Sequence, residues 1–239
     1  MTGATLQGIF RNPLADPGII GVSSGAAVGA VFTIVTGIAW FGIWTLPLSA
    51  FLMALGVAMV VYAIARRGGR TEVVTLILAG VAISSLAGGV VGWLITIASD
   101  TELRSISFWQ LGSLAGAQWS QVGIVALVTV AGGVFLLRQA TPLNLLMLGE
   151  REARHLGVRV ELLRGVAMFA TAAMTGAGVA FAGAIGFVGL VVPHLVRLMS
   201  GPDHRQLLPR SAVLGAIVLM LADLTCRLGI APMELPIGS

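Results

Sequence analysis

The sequence predicts an all-α, polytopic membrane bundle of about seven transmembrane helices, and three observations predict it. Hydrophobic residues make up 57% of the chain and charged residues only 10%, with a mean hydropathy of +0.98; a soluble globular chain carries about 25% charge. The apolar residues lie in unbroken runs approaching the ~20 residues that a helix needs to cross a hydrocarbon core, whereas barrel strands would alternate over about 10 residues. Twelve of the fourteen basic residues, all arginine, fall in alternate loops, as the positive-inside bias requires.

In chain order, the predicted spans are Gly18–Trp40, Leu46–Ala65, Val73–Ala98, Val122–Leu137, Leu162–Ala180, Ile185–Met199 and Ser211–Leu228. The residues before the first read as a polar stub without a signal-peptide pattern. Gly21, Gly25 and Gly29 form a G-x-x-x-G stripe on the first span, and Gly88 with Gly92 forms another on the third. Small residues at that spacing let membrane helices approach closely. Gly183, Gly186 and Gly189 recur at every third residue around the sixth span, which is short and contains Pro193. Between the third and fourth spans, Ser99–Ser120 is too polar to cross. With Phe108, Trp109 and Trp119 it suits a short helix near the outer surface.

Arginine placement checks this threading. Arg11, then Arg66, Arg67 and Arg70, then Arg138, Arg151, Arg154, Arg159 and Arg164, then Arg197, Arg205 and Arg210 share one side. That side is cytoplasmic by the positive-inside rule; only Arg104 and Arg227 fall on the other. The basic balance therefore reports membrane orientation, and no nucleic-acid partner is expected. Seven spans place the two ends on opposite faces with nothing closing the bundle, so residues 1–239 are expected to be a single but incomplete transmembrane domain.

Few residues could carry chemistry. Gly21-Val22-Ser23-Ser24-Gly25 matches the G-x-S-x-G nucleophile pattern, which needs a preceding strand and a nearby histidine and acid. Here it opens an apolar helix, so a hydrolase reading rests on Ser23 alone. His155, His194 and His204 have no metal-ligand spacing; His194, after Pro193, is either a gating residue or structural. Asp223 lies within the last span, where a carboxylate is a functional candidate or a packing partner for Arg227. Cys226 has no cysteine to pair with. No phosphate-binding loop can exist without lysine, so any ATP hydrolysis must occur on another chain; no catalytic residue, metal or cofactor is expected here.

That directs attention to the polar island, residues 138–164, read as a cytoplasmic loop. Glu150–Leu156 is charged, helix-compatible and closed by Gly157. Leu148, Ala153 and Leu156 supply a small apolar face that could dock into a partner's groove. Taken alone, a solvated loop fits as well.

Several motifs resemble one family. Arg11-Asn12-Pro13-Leu14-Ala15-Asp16-Pro17-Gly18-Ile19-Ile20-Gly21 precedes Ser24-Gly25-Ala26, and the island reads LLMLGEREARHLG over Leu145–Gly157. Gly183-Ala184-Ile185-Gly186-Phe187-Val188-Gly189-Leu190-Val191-Val192-Pro193-His194 then leads to Pro202-Asp203-His204-Arg205 and Glu234-Leu235-Pro236-Ile237-Gly238. In this order, and over essentially the whole chain, they resemble the permease subunits of binding-protein-dependent ABC importers for iron chelates, heme and vitamin B12.

The resemblance implies a ten-helix subunit of the bacterial cytoplasmic membrane, with this chain matching helices three to nine. It implies a second permease copy or paralogue, cytoplasmic ABC ATPase subunits, and a periplasmic or lipid-anchored substrate-binding protein, all working in lipid. Gly149, Glu150, Ala153, Arg154, Leu156 and Gly157 match the ATPase-coupling segment. Asn12 and Leu14 match the cytoplasmic gate, with Val73 and Val74 at the gate's fifth-helix position. Arg227 matches an arginine that docks the binding protein. Phe108–Leu114 leans towards a ferric siderophore or heme over vitamin B12. A self-sufficient secondary transporter is the competing class and would need intramembrane ion-coupling carboxylates, for which only Asp223 is available.

Overall fold

The computed structural model describes residues 1–229, so Glu234–Gly238 and the chain's end lie outside the described residues. Eleven α-helices form the described part: α1 Thr2–Phe10, α2 Val22–Thr36, α3 Thr45–Ala65, α4 Val73–Thr96, α5 Asp100–Leu111, α6 Trp119–Arg138, α7 Ala140–Met147, α8 Glu150–His155, α9 Val160–Ala182, α10 Val188–Ser200 and α11 His204–Gly229. A two-residue antiparallel pairing of Arg66–Arg67 with Arg70–Thr71 joins α3 to α4.

Five helices are long and apolar enough to span a membrane: α4, α6, α9, α11, and α3 with the 3-10 turn before it. The first and sixth predicted spans give the shorter helices α2 and α10. In the first, Pro17–Ile20 is a 3-10 turn, Gly21 takes φ +79°, and Gly37 ends the helix at φ +64°. In the sixth, Gly183 and Phe187 take φ +74° and +64°, so the helix starts only at Val188. Two boundaries move the other way. Trp119, predicted in the outer loop, is instead the first residue of α6, after a Gln118/Gln121 capping box. The seventh span begins at His204, where the Asp203 carboxylate accepts from the Arg205 amide at 2.9 Å, and the helix continues through Pro209. The predicted polar stub is a correction: Thr2–Phe10 is helical, and Gly3–Phe10 is wholly buried.

The core is built around α9, which buries thirteen residues, with α1, α2 and α3 packed on it. The first glycine stripe sets the α2–α3 distance. A methyl group on Gly25 or Gly29 would run into the backbone carbonyl of Met53 or Ser49, and the Ser49 hydroxyl donates to the Gly29 carbonyl at 2.8 Å. Ser24 donates to Ser84 at 3.0 Å and ties α2 to α4. A 3-10 turn, not a strand, precedes Ser23, so the nucleophile-elbow pattern here is packing.

The second stripe behaves differently. A methyl group on Gly88 or Gly92 would meet no atom of the described residues within 4 Å, and α4 exposes Leu78, Leu86 and Trp93 around them. Along α6, Leu127 and Val130 are similarly open, as are Met220, Leu221 and Leu228 on α11. In a multi-pass membrane protein such faces meet lipid or other membrane helices.

Helix α5 fulfils the expectation for Ser99–Ser120. Ser99 and Glu102 make a reciprocal capping box, Ile106 packs with Val31, Val91 and Leu94, and the Ser113 amide donates to the Ala182 carbonyl at 2.9 Å. The opposite end of the bundle carries the island.

Candidate functional site at the arginine-rich end

The island is two short helices joined by a glycine. Helix α7 follows α6 almost without a break, with Pro142 in its first turn, where a missing amide costs nothing. It buries Ala140, Leu143 and Leu146. Asn144 then fixes α7 to α11. Its Oδ1 accepts from the His204 backbone amide at 2.9 Å and lies 2.8 Å from His204 Nδ1, while its Nδ2 donates to Asp203 at 2.6 Å. Because the amide can only donate, the Asn144 oxygen must face His204, and Nδ1 carries the proton. Gly149, at φ +132° and ψ +151°, turns the chain into α8 through a region that side chains rarely tolerate.

Helix α8 is self-consistent at six residues. Glu150 and Glu152 lie in its first turn, and Arg154 and His155 in its last, matching the helix dipole at both ends. Gly157, at φ +85°, closes it. The Val158 amide reaches the Ala153 carbonyl at 2.9 Å and the Gly157 amide reaches that of Arg154 at 3.0 Å, the paired bonds of a Schellman motif.

One face of α8 is held from below by a buried arginine. Arg164, in the second turn of α9, is 2% exposed. Its Nη2 pairs with Glu150. Its Nη1 donates to the Thr71 carbonyl at 3.1 Å and lies 3.5 Å from Glu161. Glu161 in turn accepts from the Thr71 amide at 2.9 Å and the Thr71 hydroxyl at 2.8 Å. Arg154 completes the group from the solvent side, 3.7 Å from Glu150 and 3.5 Å from Glu161; as an exposed pair it contributes little.

Burial alone would raise the Glu150 pKa. The hydrogen bond and charge of Arg164, with Arg154 and Arg11 adding to them, more than reverse this and hold it below its ordinary value of 4.5. A carboxylate with a depressed folded pKa stabilises the fold above its unfolded pKa and loses that contribution as pH falls through the folded one. The acid-side melting curve of the protein in detergent should therefore decline below about pH 4. Glu150→Gln should lie below the native curve at pH 7 and approach it at acid pH.

The predicted coupling residues thus divide by direction. Ala153 is fully buried, Glu150 and Arg154 engage the network beneath, and Leu148 and Leu156 stand out at 67% and 60% exposure. At the corner after α1, the Asn12 side chain accepts from the Leu14 amide at 2.9 Å, which presents Leu14 outward. The following 3-10 turn packs on α4 at Gly80, whose missing side chain admits the Ile19 carbonyl. Val73 opens α4 half-buried, and Val74 beside it is exposed. Arg227 donates to Asp223 at 2.8 Å within α11, so that carboxylate is already paired. His194 is exposed on α10.

Arg164, Glu161 and Thr71 are absent from the sequence-derived set. A signal was available: Arg164 interrupts an otherwise apolar helix, and an ionisable residue in such a run marks a functional candidate. Its position at the edge of a charged loop concealed it.

The arrangement has known counterparts. A model described as the FecCD transport family matches residues 1–239. The chain belongs to the FecCD transport family. Among FecCD relatives, the cobalamin import system permease BtuC of Halobacterium salinarum is 46% identical over the whole chain, which spans 63% of that relative's length. The vitamin B12 import system permease BtuC of Salmonella typhi and the hemin transport system permease HmuU of Yersinia pestis are each 42% identical, with 72% of their lengths matched. A solved structure described as an inward-facing conformation of a metal-chelate type ABC transporter superposes with a TM-score of 0.91 at 36% identity, covering 99% of this chain and 75% of that one. FecCD membership and five apolar helices make this a multi-pass protein of the cytoplasmic membrane.

Proposed function

We propose that the chain is the permease part of an ABC importer that carries an iron chelate, a ferric siderophore or heme, into the cytoplasm. Energy comes from ATP hydrolysed on a separate subunit that docks on residues 138–164. One observation carries this reading: α8 is clamped from below by Arg164 while Leu148 and Leu156 remain open at the arginine-rich end. A rigid, two-leucine face on a short helix is suited to a groove in a soluble partner.

In this reading Gly149 and Gly157 shape α8, Glu150, Ala153 and Arg154 seat it, and Leu156 meets the ATPase. Asn12, Leu14, Val73 and Val74 lie along the cytoplasmic gate. Arg227, at 46% exposure beside Asp223, offers the opposite end of the bundle to a periplasmic or lipid-anchored binding protein. A second permease copy or paralogue covers the open α4 face. Nucleotide-driven closure of the ATPases shifts α8 and the helices behind it, exchanging inward-open and outward-open states by differential stabilisation of each.

Vitamin B12 is the second reading, favoured by the relatives named as cobalamin and vitamin B12 import permeases. A secondary transporter is disfavoured because Asp223, the carboxylate it would use, is neutralised by Arg227. The assembled transporter in proteoliposomes, supplied with its binding protein and a ferric siderophore, hemin or cobalamin, should take up one of them only with ATP inside the ATPase compartment. Uptake driven by an ion gradient without ATP would overturn the reading.

A further inference from the structure

Thr71 is one residue before Glu72, the N-cap of α4, and Glu150 is the first residue of α8. Between these two starts lies only the first part of α9, and its polar side chains reach both. We propose that Arg164 and Glu161 form a transmission junction that passes displacement of α8 to the start of α4, where Val73 and Val74 lie. This rests on the proposed ATPase docking and adds the internal route that follows it.

Four features support a junction over a passive brace. Arg164 contacts both partners at once, Glu150 through Nη2 and the Thr71 carbonyl through Nη1, so neither can shift without loading the same planar guanidinium. Glu161 holds Thr71 by its amide and its hydroxyl, which grips the backbone and not a mobile side-chain tip. The Glu72 amide donates to the Ala65 carbonyl at 3.1 Å, so the turn gripped by α9 is also locked to the end of α3. Finally, Arg164 Nε is buried without a partner among the described residues. That leaves one donor of the fork free to re-pair with a neighbouring carboxylate when α8 shifts. Discrete rearrangement of a packed polar cluster is how a small displacement is passed on without dissipating.

The test reads the two ends separately. In the assembled transporter, with Cys226→Ser as background, an environment-sensitive fluorophore is placed on Arg151→Cys, exposed in α8 away from the two leucines, or on Val74→Cys in α4. Both should respond when the ATPase is trapped with Mg-ATP and vanadate. In Arg164→Lys, which keeps the charge but not the fork, and in Glu161→Ala, the label at position 151 should still respond. The response at position 74 should fall about fivefold. Unchanged responses at both positions in both variants would overturn the junction. So would loss of both responses together, since that is the signature of a brace that merely seats α8. If neither label responds in the unmodified background, or no ATPase is retained, the docking assignment itself fails.

Discussion

Arg164→Ala should lower the stability of the protein by about 2–4 kcal/mol, the largest single-residue loss expected at the arginine-rich end. The guanidinium is the largest fully buried side chain among the described residues, and its removal strands Glu150, Glu161 and the Thr71 carbonyl together. Breaking a buried pair costs about 3–5 kcal/mol. Here the two carboxylates, at 35% and 22% exposure, recover some water, which moves the expectation to the lower end. In detergent this should read as a fall of roughly 5–10 °C in melting temperature. The triple change Arg164→Met, Glu150→Gln, Glu161→Gln should recover most of it, because no buried charge is then left unpaired. A triple variant as unstable as Arg164→Ala would show that the cost is lost packing and not lost pairing.

Leu148→Asp with Leu156→Asp should weaken ATPase association by at least about 2 kcal/mol, roughly thirtyfold, with the melting temperature of the permease itself unchanged. Both side chains are open to solvent, so nothing inside the fold depends on them. Glu150→Arg with Arg154→Glu is a less discriminating choice. It would set a new positive charge against buried Arg164 and disturb the seat of α8 along with its outer face. ATP hydrolysis by the assembled complex should follow association in the leucine variant, falling because the subunits part.

Much of this organisation is legible in one dimension, for reasons that can be named. Arginine alternation predicts which loops share an end. The structure supplies a physical counterpart: the island touches the turn at Thr71 through Arg164, the loop at Asp203–Arg205 through Asn144 and Thr141, and lies within electrostatic reach of Arg11. Helix α8 is legible because caps and termination are local, and Gly157 stops it in the expected place. What α8 faces is not local. Glu150 looks like a surface charge until Arg164 arrives from fourteen residues later and Thr71 from ninety-three residues before that arginine.

The glycine stripes make the same distinction. Gly25 and Gly29 admit the α3 backbone, whereas Gly88 and Gly92, with identical spacing, meet nothing among the described residues. Spacing shows that a close approach is allowed, not which helix makes it. Helices α2 and α10 fall short of their predicted spans because positive-φ positions at Gly21, Gly37, Gly183 and Phe187 break apolar runs that hydropathy averages over.

The central claim, that α8 presents this permease to a separate ATPase, is tested most directly by site-specific photo-crosslinking in the assembled transporter. A photoreactive residue at position 156 lies on the exposed face of α8. One at position 111 ends α5 at the other end of the bundle, where Leu111 is also exposed. The account predicts a covalent adduct with the ATPase from position 156 and none from position 111. Equal adducts from both positions, or no ATPase adduct from position 156, would contradict it.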